Sequence, residues 1–165
     1  MTCRRQSRSS GGLYLESTRA ERFGVLPGEE RPVREVMNRR VLSIAPSTSL
    51  WDAAAIMRRE QTSAVVVRDP ERVYGLLTDR DLGLSLIAGT ESVSTAGDLV
   101  GTRKHVTLCE DDIVADGWAL LKRHGLDAMS VVDEQGTVVG VLSWVDLAAS
   151  VQPDSAGVWL DHIRR

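Results

Sequence analysis

Residues 41–67 read VLSIAPSTSLWDAAAIMRREQTSAVVV, and residues 105–131 read HVTLCEDDIVADGWALLKRHGLDAMSV. Laid over each other at an offset of 64, Ile44 falls on Leu108, Leu50 on Val114, Ile56 on Leu120, Met57 on Leu121 and Ala64 on Ala128. The match then resumes one residue later. VYGLLTDRDL from Val73 lies over VVGVLSWVDL from Val138, at an offset of 65. The slip falls between Asp69 and Val73 in the first copy and between Asp133 and Val138 in the second, where EQGT is a turn sequence. Self-similarity of this length marks a duplicated folding unit rather than one turn of a solenoid.

Each copy predicts the order helix–strand–helix–strand–strand–helix. A short helix leads, over Pro32–Met37 and Ala96–Val100. Pro32 suits a first helical position, where its missing N–H costs nothing, and Thr95 with Asp98 resembles a capping box. A short strand follows near Val41–Ile44 and Val106–Leu108. Apolar residues then recur at helical spacing: Leu50, Ala53, Ala54 and Met57 in one copy, Val114, Trp118 and Leu121 in the other. Hairpins follow, Ala64–Val67 with Val73–Leu77 and Met129–Val132 with Val138–Leu142. A last helix starts after Thr78 or Ser143. The fold class is α/β (α+β): two units about a pseudo-twofold axis, each a small sheet with flanking helices. One unit of about 60 residues buries little core alone, which is the reason to expect a pair.

The repeat divides the chain into an arm over 1–30, copies over 31–93 and 94–152, and a tail over 153–165. The arm is polar, without sustained periodicity, and reads as mostly disordered; Phe23, Val25 and Leu26 form a weak apolar group in it. Val158, Trp159 and Ile163 give the tail the apolar side of a short helix. Of 165 residues, 42% are hydrophobic and only 4% aromatic, so the core is aliphatic. A net charge of −3 argues against nucleic acid as a partner. The basic runs at Arg4, Arg5 and Arg8 and at the C-terminus read as solvated tails.

Cys3 and Cys109 are too few for a disulfide framework or a zinc set, and a reducing cytosol is the simplest compartment. No apolar stretch approaches the ~18 residues that span a bilayer. MTCRRQSRSSGG is basic, but no apolar run follows it, so it does not read as a secretory signal.

Gly75-Leu76-Leu77-Thr78-Asp79-Arg80-Asp81-Leu82 and Gly140-Val141-Leu142-Ser143-Trp144-Val145-Asp146-Leu147 both resemble the closing signature of a cystathionine-β-synthase (CBS) domain. That signature is Gly, two apolar residues, Thr or Ser, two variable residues, then Asp. Pro32-Val33-Arg34-Glu35-Val36-Met37 resembles the family's leading helix. The resemblance covers about residues 31–152. It implies a tandem pair, or Bateman module. Such pairs commonly bind AMP, ADP, ATP, NAD(H) or S-adenosylmethionine in clefts between the paired units. They commonly form disc-like homodimers and regulate an attached or partner protein.

The motif has a physical rationale. Leu76-Leu77 end a buried strand and Thr78 sits where the next helix begins, so free N–H groups and the helix dipole welcome a phosphate. The Thr78 hydroxyl adds a donor. Asp81, in the first turn on the same side, can accept both hydroxyls of a ribose. Arg80 can pair with a phosphate in the bidentate manner. Thr78-x-x-Asp81 and Ser143-x-x-Asp146 equally resemble helix capping boxes, which need no ligand.

By resemblance the base lies between the first strand and the start of the hairpin: Ser43–Pro46 with Ala64, Val65 and Val66 in one copy, Thr107–Cys109 with Ala128, Met129 and Ser130 in the other. Two departures stand out. Val66 and Ser130 occupy a position where many members have Pro, and Ser63 and Asp127 occupy one that is often Gly. Asp127 beside a cleft repels a triphosphate, and Trp144-Val145 replaces the polar Asp79-Arg80. The first copy is therefore the favoured site.

Other chemistry is thin. His105, His124 and His162 have no helical i, i+4 partner for a metal and read as surface or capping residues. Cys109 reads as a buried small residue. Glu110-Asp111-Asp112 reads as acidic decoration at a helix start, with a weak cation site as the alternative. Trp118 and Trp144 read as packing residues. No nucleophile, base or metal set is visible, so an enzyme is not expected and no cofactor is obligatory. The leading expectation is a non-enzymatic regulatory module, sensing an adenine nucleotide for an unidentified effector protein. The alternative is a dimerisation module that binds no nucleotide. A nucleic-acid binder acting through the Arg-rich arm is a third reading, against which the acidic balance argues.

Overall fold

The computed structural model describes residues 30–88, 93–101 and 105–150. The apolar groups expected in the arm and in the tail lie outside them. The chain packs as two compact units, one over Arg40–Thr107 and the other from the segments on either side of it.

The first unit holds β1 (Ser43–Ile44), α1 (Leu50–Glu60), β2 (Ala64–Arg68), β3 (Val73–Thr78), α2 (Asp79–Ala88) and α3 (Ala96–Gly101). Its sheet runs β1-β2-β3, with β1 parallel to β2 and β2 antiparallel to β3. Helix α1 begins where Ser49 accepts a hydrogen bond from the Asp52 N–H, and it buries Leu50, Ala53 and Met57. These pack on Ile44, Val65, Val67 and Leu77 from one sheet face, with Leu82 of α2 and Val100 of α3 completing the cluster. The expected capping box starts α3. The Thr95 hydroxyl donates to Asp98 Oδ2 at 2.7 Å and the Asp98 N–H donates to Thr95 Oγ1 at 3.2 Å.

The second unit repeats this plan with β4 (Thr107–Cys109), α4 (Val114–His124), β5 (Ala128–Val132), β6 (Val138–Ser143) and α5 (Trp144–Ser150), and a sheet order β4-β5-β6. Its core joins Leu108, Val114, Trp118, Leu121, Met129, Val131, Leu142 and Leu147 with Val33 and Met37. Val33 and Met37 belong to the segment that precedes the first copy.

That segment departs from expectation. Instead of a helix over Pro32–Met37 there is one 3-10 turn, Val33–Glu35, and Pro32 is its cap with φ −66° and ψ 144° rather than its first helical residue. The reason lies in where the backbone bonds go. The Val33 N–H donates to the Asp112 carbonyl at 2.8 Å and the Arg34 N–H to the Glu110 carbonyl at 3.0 Å, while the Arg31 carbonyl accepts from the Val114 N–H at 3.0 Å. Pro32 pairs with Ile113 as an antiparallel bridge. The segment is held extended up to Pro32, so only a tight turn fits after it.

Helix α3 makes the same set of bonds in the first unit. The Ala96 N–H donates to the Thr48 carbonyl and the Gly97 N–H to the Pro46 carbonyl, both at 2.8 Å, and the Ser94 carbonyl accepts from the Leu50 N–H at 3.2 Å. Ser49 bridges Thr95. Each copy's leading segment is thus fastened to the strand–helix loop of the other copy. Sequence repeats and packed units divide the chain differently.

The slip in the repeat is visible as well. Asp69 Oδ1 accepts from the Glu71 and Arg72 N–H groups, and Asp133 Oδ1 from those of Gln135 and Thr137. Both hairpins close on an Asp side chain, and the longer one carries Gly136 at φ +83°. A bulge follows Val67 in one sheet and Val131 in the other.

Candidate functional site

The pairing register decides which expected site residues can act together. Ser43 pairs with Val66, Val66 with Leu76 and Ala64 with Thr78, so these five share one face of the first sheet. Ile44 and Val65 point the other way, into the core under α1. In the second sheet Met129 is likewise a core residue, paired with Leu142, whereas Ala128 pairs with Ser143 and Ser130 with Val141 on the opposite face. Thr107 flanks the core residue Leu108, so alternation puts it on that opposite face too. Of the expected contacts, Ser43, Ala64, Val66 and Thr78 share one face of the first sheet, and Thr107 and Ser143 share one face of the second. Ile44, Val65 and Met129 do not join them.

Exposure grades the first group. Ser43 and Arg80 are exposed and Asp81 is half-buried. Ala64 and Thr78 are buried, and Val66 is 0% exposed. The polar residues are arranged by the helix start. Asp81 Oδ2 accepts the Thr78 N–H at 3.0 Å and the Thr78 hydroxyl at 2.7 Å, and the Asp81 N–H donates to Thr78 Oγ1 at 3.2 Å. Ser143 and Asp146 form the same reciprocal box, with the Ser143 N–H at 2.8 Å from Asp146 Oδ2 and the Asp146 N–H at 3.3 Å from Ser143 Oγ. The capping geometry read from the spacing is therefore present in both copies.

Around the caps the copies diverge. The Asp79 N–H donates to the Ser63 carbonyl at 3.0 Å, and the Trp144 N–H to the Asp127 carbonyl at 3.3 Å, so the backbones correspond. The side chains do not. Trp144 folds back: its indole N–H donates to the Leu126 carbonyl at 2.7 Å, and its ring lies 4.9 Å from that of Trp118. Both tryptophans are packing residues. Val145, at the position of Arg80, is 76% exposed. The first copy's edge carries Asp79, Arg80 and Asp81; the second carries Asp127 and Asp146 with no cation among the matched positions.

Sequence reasoning missed several features. Ser130 is 0% exposed in the middle of its sheet. Asp112 is more than decoration: its Oδ2 accepts the Cys109 N–H at 2.9 Å, and burial raises its pKa above the ordinary aspartate value. Burial lowers the pKa of the half-buried His105. Asp98 is held below the usual carboxylate range, first by the Thr95 hydroxyl. Cys109 is half-buried rather than buried, and it is not a free thiol. His124 falls in the last turn of α4; His162 lies outside the described residues. Among the described residues no group of three His, Cys, Asp or Glu could hold a metal ion, and no helix is long and apolar enough to cross a membrane.

Two similar units, each closing on a Gly-x-x-Thr/Ser-x-x-Asp turn between its last strand and last helix, define a tandem βα repeat protein. The CBS domain family model matches residues 33–83 and again 96–152, and the chain belongs to that family. A CBS pair is a regulatory module. The CBS domain-containing protein YhcV of Bacillus subtilis is 27% identical over 132 residues, 79% of this chain and 94% of that one. The crystal structure of a conserved CBS domain protein of unknown function, TA0289 of Thermoplasma acidophilum, superimposes with a TM-score of 0.66 at 28% identity, covering 80% of this chain and 76% of that one. The structure of CBSX2 in complex with AMP shares the fold with a TM-score of 0.60 at 22% identity, covering 79% of this chain and 98% of that one.

Proposed function

We propose that this chain is a non-enzymatic sensor that binds an adenosine-containing nucleotide at its first copy and signals to an effector protein. The observation that supports the reading is that Ser43 and Thr78 share one sheet face and that Asp81 caps helix α2 at Thr78, with Arg80 in the same first turn. A ribose diol meets Asp81, whose carboxylate offers about four acceptor sites in all, so a cap and a ligand can share it. A phosphate meets the α2 N-terminus and Arg80. Ala64 and Val66 back the slot, and Ile44 and Val65 act only by supporting the sheet from below. AMP binding by CBSX2 supports the choice of ligand class, from which AMP, ADP, ATP, NAD(H) and S-adenosylmethionine are the panel. At the second copy Thr107, Ser143 and Asp146 offer the same frame without the cation, so AMP prefers the first. The protein acts as a cytoplasmic homodimer.

The test is calorimetry with AMP on the wild type, Asp81→Ala and Asp146→Ala. Binding is expected in the first and third and absent in the second. Unchanged affinity in Asp81→Ala would sink the site assignment. A second reading, a dimerisation module without a ligand, is favoured by the full burial of Val66 and by polar groups of Thr78 and Asp81 that already satisfy one another. It takes over if no member of the panel shifts the melting temperature at millimolar concentration.

A further inference from the structure

Cys109 is disulfide-bonded, and the chain holds one other cysteine, Cys3, which lies outside the described residues. In the cytoplasm proposed above, an isolated disulfide is a reversible redox mark rather than a permanent staple.

The arm sets out beside Cys109. The described chain begins at residue 30, and the residues that follow are fastened to the segment just after Cys109. The Arg34 N–H donates to the Glu110 carbonyl at 3.0 Å, the Val33 N–H to the Asp112 carbonyl at 2.8 Å, and the Arg31 carbonyl accepts from the Val114 N–H at 3.0 Å. The Arg34 guanidinium also pairs with the Asp111 carboxylate. In the folded protein a bond from Cys3 back to Cys109 therefore closes only residues 4–30 into a loop. In the unfolded chain the same bond closes everything from 4 to 108, so it restricts the unfolded state more than the folded one.

Charge favours the same pairing. Arg4 and Arg5 follow Cys3, with Arg8 close behind, and Glu110, Asp111 and Asp112 follow Cys109. Joining the two sulfurs brings the basic run to the acidic one. The strand decides where that happens. Leu108 is a core residue, so alternation turns Cys109 to the face of Thr107, which is also the face of Ser130 and Ser143.

We propose that Cys3 is the partner of Cys109 and that their bond is a redox latch: oxidation ties the arm to β4 and reduction frees it. The exchange balances with a low-molecular-weight disulfide such as glutathione disulfide. One protein thiolate attacks it, forming a mixed disulfide and releasing one thiol; the second protein thiolate then displaces the other half. Two electrons and two protons pass from the cysteine pair to the small disulfide, which leaves as two thiols. The oxidised chain holds the start of its arm against the second sheet, the reduced chain releases it, and a partner that reads the arm reads the redox state. Nucleotide binding plays no part in the latch.

The experiment equilibrates the full chain in buffers of reduced and oxidised glutathione, blocks free thiols with iodoacetamide and maps the peptides by mass spectrometry without reduction. The oxidised chain is expected to yield a peptide pair joining Cys3 to Cys109 within one chain, and the reduced chain two alkylated cysteines. Melting gives the second readout: oxidation should raise the wild-type melting temperature by about 5 °C or more and leave Cys3→Ser, substituted outside the packed cores, unmoved. Two alkylated thiols in the oxidised buffer overturn the proposal. So does a bond found between two chains, and so does a wild type that melts alike in both buffers.

Discussion

The peptide N–H of Gly97 donates to the carbonyl of Pro46 at 2.8 Å, and the two backbones leave no room for a side chain between them. A Cβ on Gly97 would lie 2.8 Å from Pro46 Cβ and 2.9 Å from its carbonyl oxygen. Backbone cannot swing aside as a flexible side chain can. Gly97→Ala is therefore expected to destabilise the protein by about 1–3 kcal/mol, in the range of other overpacking changes. Urea denaturation checks it. A change below about 0.5 kcal/mol would show that α3 is not fastened to the loop before α1 as described.

A second prediction compares two helix ends. Gln61 ends α1 in the left-handed region at φ 51°, and Gly125 ends α4 in the same way at φ 62°. Only glycine takes that conformation without cost. Gln61→Gly should raise stability by up to about 1 kcal/mol, and Gly125→Gln should lower it by a similar amount. Equal and opposite shifts in the denaturation midpoint are the expected pair.

The third concerns pH. Asp112 has its pKa raised, mainly by burial. A group of this kind favours folding below its unfolded value, here 3.8, and that benefit is lost as pH rises through the higher folded value. At pH 7 the folded protein therefore carries a burdened carboxylate. Asp112→Asn keeps an acceptor for the Cys109 N–H without the charge. The variant should melt at a higher temperature than the wild type at pH 7, and the gap should close as pH falls towards 3.8. A constant gap across that window would contradict the assignment.

The caps furnish a fourth. Asp81 and Asp146 bond alike to Thr78 and Ser143, so Asp81→Ala and Asp146→Ala should each cost about 1 kcal/mol of stability. Their effects on AMP binding should differ completely. Matched stability with unmatched affinity separates a ligand role from a capping role in one comparison.

Much of the fold was legible because duplication checks itself: each strand and helix is written twice at a fixed offset. The capping boxes were legible because they are local, spanning three residues. What escaped was non-local. Pro32 looked like a helix start because nothing in its neighbourhood shows that Asp112 and Glu110 will claim the N–H groups of Val33 and Arg34. Ile44, Val65 and Met129 looked like site residues because the wall of a site was read as a run of sequence, whereas a strand turns alternate residues to opposite faces. The period of two was available in AVVV and AMSV. It was hidden by the fact that both faces of these strands are apolar.

The fastening of each leading segment to the other copy also has a temporal side. Residues 40–107 emerge from a ribosome as one stretch and hold everything their own core requires. Residues 30–39 emerge earlier, yet the carbonyls and core residues they dock against lie beyond position 107. At about 5–20 residues per second, that first-made piece waits several seconds, its apolar Val33 and Met37 in water, while a finished neighbour is built behind it. The partners of residues 30–39 are thus synthesised only after the whole of the first unit.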